Sequence, residues 1–85
     1  MNPTMSALLL AVRSTDAGDA VAAARHLARA KELARSSARS DRHVVEIAAL
    51  VVSGRRDRAR GLAVVHVTEF PADATLLTQL LGGPA

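Results

Sequence analysis

Two glycines constrain this chain more than any other feature. Gly18 and Gly54 stand thirty-six residues apart, and each separates a shorter from a longer stretch whose apolar residues recur at helical spacing. A glycine that closes such a stretch supplies a backbone turn that other residues resist. The pattern therefore predicts one helical hairpin made twice. Ahead of Gly18 a first helix is expected from about Thr4 to Ser14, after Pro3, with Thr4 or Ser6 as its cap. Beyond the turn, Asp19 stands where an N-cap is wanted for a long second helix ending near Arg35.

On that second helix Ala20, Ala23, Ala24, Leu27, Ala30 and Ala34 share one face, with Arg25, Arg29, Glu32 and Ser36 opposite. Composition matters here: 18 Ala, 11 Leu and 9 Val stand against one Phe and no Trp or Tyr. Small residues suit helices whose backbones approach closely, and Ala is the strongest helix former. After a polar link at Ser36 to Ser40, Asp41 is expected to cap a third helix over Arg42 to Ser53. Only Glu46 is polar between Val44 and Val52, which predicts burial nearly all round. Gly54 stops this helix, Arg55 to Arg60 opens a fourth that runs to about Glu69, and Pro71 closes the unit. Asp73 can cap a fifth helix before Gly82-Gly83-Pro84. The β-branched runs Val44 to Val52 and Leu62 to Val67 also admit a reading as strands joined by Gly54 to Gly61. The repeated register favours helices.

The register resembles that of tetratricopeptide-repeat proteins, whose period is about 34 residues, with a turn between two helices and a Pro after the second. Counting from Gly54, the small residue comes at Ala59 and the terminal Pro at Pro71. Counting from Gly18, Ala23, Leu27 and Ala30 take small, large and small seam positions, and Leu10 with Ala11 the large–small pair of the first helix. The resemblance implies an all-α fold of stacked antiparallel hairpins in one domain, with repeats at 4–37 and 40–73 and a partial repeat or capping helix at 74–81. Arg35 in place of the closing Pro, His66 in place of a small residue, and Glu46-Ile47 in place of the large–small pair depart from the pattern. More narrowly, residues 39–81 resemble part of the bacterial members of the tetratricopeptide repeat protein 38 family. That likeness lies in Asp41-Arg42-His43-Val44, in Ser53-Gly54 and in the run from His66 to Ala74. It implies no catalytic residue, and it implies that this chain corresponds to an internal piece of a longer protein.

The chemistry that the sequence offers is sparse. No cysteine is present, which removes disulfides and thiolate metal sites and fits a cytoplasmic location. The apolar run from Ala7 to Val12 is too short for a signal peptide or a membrane span. His26, His43 and His66 fall on three different helices without the local pairing of a metal site, so no metal or cofactor is expected. Asp16, Asp19, Asp41 and Glu46 read as caps and surface groups. Neither a phosphate loop nor a hydrolase elbow nor an HExxH motif occurs, and an enzyme is not expected.

Two features remain as candidates for binding. The Arg55, Arg56, Arg58 and Arg60 cluster could hold an anion or nucleic-acid phosphates at a helix N-terminus. Without aromatics or a base-reading helix it reads more simply as a solvated helix start. Leu76, Leu77, Leu80 and Leu81 form an apolar stripe on a helix with no partner in its own repeat. Either they fold back on the third and fourth helices as a cap, or they meet another chain, as in a homodimer. The expected function is protein–protein association through the groove of the inner helices or through this leucine face. The alternatives are anion or nucleic-acid binding through the arginines, and a truncated fragment without independent function.

Overall fold

A computed structural model of the protein describes residues 2–82. Five α-helices follow one another: α1 (Pro3–Asp16), α2 (Ala20–Ala34), α3 (Arg39–Val52), α4 (Arg56–Glu69) and α5 (Ala74–Leu80), with a 3-10 turn at Pro71–Asp73. No strand occurs among the described residues, and both β-branched runs are helical. The radius of gyration is 11.5 Å, close to the ~12 Å of a compact domain of this length.

The two hairpin turns are built alike. In the first, the Gly18 amide donates to the Thr15 carbonyl at 3.0 Å and the Asp19 amide to that of Ser14 at 2.8 Å. In the second, Gly54 donates to Val51 at 3.1 Å and Arg55 to Leu50 at 2.8 Å. Both are Schellman closures, and they need a residue in the left-handed region. Gly18 has φ of 79° and Gly54 of 81°. The burial pattern repeats at the same thirty-six-residue shift. Leu8, Ala11 and Val12 are buried in α1, as are Val44, Ile47 and Ala48 in α3. Ala23, Leu27 and Ala30 are buried in α2, as are Ala59, Ala63 and His66 in α4. Leu10 lies exposed, and so does Glu46 thirty-six residues on. The large residue that faces the core of α1 is therefore Leu8 rather than Leu10, and a carboxylate at the matching place in α3 meets water.

The starts of α1 and α3 differ from the sequence expectation. Asn2 caps α1, its side chain accepting the Met5 amide at 2.9 Å, so neither Thr4 nor Ser6 takes that place. Helix α3 begins at Arg39 after an extended Ala38 and has no side-chain cap, which puts Asp41 inside the first turn. Asp19 does cap α2, accepting the Ala22 amide at 3.0 Å. Ala20 and Ala24 are exposed, because α2 packs on α1 and α3 along a single stripe through Ala23, Leu27, Ala30 and Ala34.

Helix α5 settles against α1 and α3. Leu77 and Leu80 are sealed in the core with Leu8, Val44, Ile47 and Val51, while Leu76 and Leu81 pack at its edge. The face that α1 and α3 share is thus closed from within the chain. Each buried leucine contributes about 1.5–3 kcal/mol by leaving water.

Candidate functional site

With that inner face closed, a concavity remains open on the other side of α3. Helices α2 and α4 both pack against α3, and a groove of about 610 Å³ runs between them. Its floor is apolar: Ala34 from α2, Val45, Ala49 and Leu50 from α3, and Leu62 from α4. Around it stand Lys31, Arg35, Arg42 and Arg58, with Glu46 as the single carboxylate of the lining. Arg42, Glu46, Ala49 and Ser53 follow one another at three- and four-residue steps along α3 and its C-cap, with Val45 beside Glu46. That stripe covers three turns, or ~16 Å of helix. Sequence reading missed this groove, since its walls come from three helices whose relative placement no local pattern encodes.

A smaller recess of about 150 Å³ lies between α3 and α4, lined by His43, Glu46, Ile47, Leu62, Val65, His66 and Glu69. Glu46 and Leu62 line both spaces, so the two adjoin. The rings of His43 and His66 meet edge to face, with centroids 5.7 Å apart, and Phe70 stacks on His66 at 4.9 Å. His66 is buried, at 4% exposure. Its Nε2 lies 2.7 Å from Asp73 Oδ2, whereas its buried Nδ1 has no partner. Arg39 lies over the Phe70 ring at 5.6 Å and forms an ion pair with Glu69, which closes this end of the hairpin. His26 lies apart, on α2, beside Arg25 and Arg29. Among the described residues no group of three or more His, Asp or Glu side chains could hold a metal ion.

The four arginines at the start of α4 go to different places. Arg56 reaches across to two other helix ends, donating to Asp16 Oδ1 at 3.1 Å and to the Leu81 carbonyl at 3.2 Å. A cation there offsets the negative ends of α1 and α5. Arg60 donates to Asp57 at 3.1 Å within its own helix. Arg58 lines the groove, and Arg55 is exposed at the head of the helix. The C-terminal leucines divide as described above, with Leu77 and Leu80 inside and Leu76 and Leu81 at the core edge. No helix among the described residues is long and apolar enough to cross a membrane. Set against protein-family models, curated proteins and solved structures, the chain matches none of them.

Proposed function

We propose that the chain is a non-catalytic protein-interaction module made of two tetratricopeptide-like hairpins and a capping helix. The observation that carries this reading is the open groove between α2, α3 and α4. It keeps Leu50 and Leu62 within reach of a ligand, whereas Leu8, Ile47, Leu77 and Leu80 are sealed inside. Exposed apolar surface rimmed by polar groups is the mark of a contact surface rather than of a finished exterior. The tetratricopeptide likeness draws support from the two matching Schellman turns and from burial that repeats with the thirty-six-residue shift. Residue types fit the same reading, since Ala23 and Ala59 stand at equivalent seam positions with at most 1% exposure.

The test is selection from a displayed library of random peptides on the immobilised chain, with Leu62→Glu as the control. Leu62 is 42% exposed, so the substitution leaves the core intact, and circular dichroism checks that helicity is kept. Peptides that enrich on the wild type and are lost on Leu62→Glu support docking in the groove. Failure to enrich, or enrichment that ignores the substitution, overturns it.

A further inference from the structure

The groove has a charge as well as a shape. Four cations and one carboxylate line it, for a local balance of +3. That equals the formal charge of the entire chain, gathered at one concavity. Of the four cations, only Arg35 has an intramolecular ion pair among the described residues, with Glu32 at 3.5 Å and both side chains well exposed. Lys31, Arg42 and Arg58 have none among the described residues, as holds also for Arg13, Arg25, Arg29 and Arg55 outside the groove, whereas Arg39, Arg56 and Arg60 are paired. An apolar trench three helical turns long with basic sides is the complement of a helix that carries apolar residues on one face and carboxylates beside them.

Resting on the docking reading above, we infer that this groove takes an acidic amphipathic helical segment of a partner protein. Its apolar face lies on Val45, Ala49, Leu50 and Leu62, and its carboxylates meet Arg42 and Arg58. A segment of about twelve residues spans ~18 Å as a helix, which matches the stripe on α3. The floor argues against nucleic acid as the occupant. It offers aliphatic side chains where single strands need aromatic rings to stack on, and the chain's lone Phe, Phe70, lies outside the groove. Carboxylates opposite these guanidinium groups select the partner and speed its approach.

The experiment uses three synthetic peptides of about twelve residues with one leucine spacing and Glu, Gln or Lys at every polar position. Binding is read by fluorescence anisotropy, and the contact surface by amide shifts in the labelled full chain. The Glu peptide is expected to bind at least about tenfold tighter than the Gln peptide, with shifts at Val45, Ala49 and Leu62. In Arg42→Glu/Arg58→Glu, whose substituted side chains are exposed, the preference is expected to pass to the Lys peptide. Equal binding of the Glu and Gln peptides at these residues overturns the inference about charge and leaves groove docking standing. Binding by none of the three overturns the inference, and the library selection then decides the broader reading. A single-stranded oligonucleotide that displaces the Glu peptide and is itself lost in the double variant would make the ligand a phosphate chain. A doubled solution mass that Leu62→Glu abolishes would make the occupant a second copy. Either result overturns the proposal.

Discussion

His66 and Asp73 hold each other across the break between α4 and α5, with imidazole Nε2 2.7 Å from the carboxylate. The ring is buried, its other nitrogen has no partner, and the aspartate leads directly into the capping helix. Asp73→Ala would leave both ring nitrogens unsatisfied in the interior. We expect a loss of about 1–3 kcal/mol in urea unfolding followed by circular dichroism. His66→Leu/Asp73→Ala should lose less than Asp73→Ala alone, because an apolar side chain leaves nothing unpaired. If the double variant is the less stable of the two, the pair does not act as described.

The two hairpins differ at both capping positions, Asn2 against Ala38 and Asp19 against Arg55. Asp19 caps α2 with its side chain, while Arg55, at the equivalent place before α4, has no cap bond. Arg55→Asp should therefore stabilise the protein by about 1 kcal/mol, and Asp19→Ala should destabilise it by a similar amount. Thermal melts of the two variants against the parent give the signs directly.

Two glycines should respond to alanine in opposite directions. Gly54 has φ of 81°, which an L residue adopts at a cost of roughly 1–2 kcal/mol, so Gly54→Ala is expected to be destabilising. Gly61 lies within α4 with open space around a built Cβ. Gly61→Ala should be stabilising by roughly 0.5–1 kcal/mol, since alanine orders more readily in a helix. Denaturation midpoints measured side by side decide both.

Leu80 is fully buried, and Leu81 lies partly exposed at the core edge. Leu80→Ala is expected to cost about 2–5 kcal/mol, a large share of what a domain this small possesses. Leu81→Ala should cost clearly less. Equal and small losses from both, measured by chemical denaturation, would mean that α5 is not part of the core.

How far the sequence carried the reading depended on the range of each interaction. The hairpin turns, the five helices and the Asp19 cap were legible, because each rests on groups a few residues apart. Helix starts were less so: Asn2, Thr4 and Ser6 all offer an oxygen near the start of α1, and with Pro3 as the first helical residue the cap falls to Asn2. The partnership of Arg56 with Asp16 joins residues forty positions apart, and its bond to Leu81 spans twenty-five. From the sequence alone Arg56 belonged with the other arginines, read as a solvated helix start with anion binding as the alternative.

The sequence by itself determined that this protein is helical and that its first hairpin is made again thirty-six residues later. Left-handed glycines, alanine-rich stripes and the helical period act locally, and they do so before the chain is packed. Only the tertiary structure decided that the C-terminal leucines close over α1 and α3, that His66 is sealed beside Asp73, and that a basic groove opens between α2 and α4. Those outcomes depend on how amphipathic helices share a limited interior. Once Leu77 and Leu80 fill one side of α3, Val45, Ala49 and Leu50 on its other side line the groove between α2 and α4.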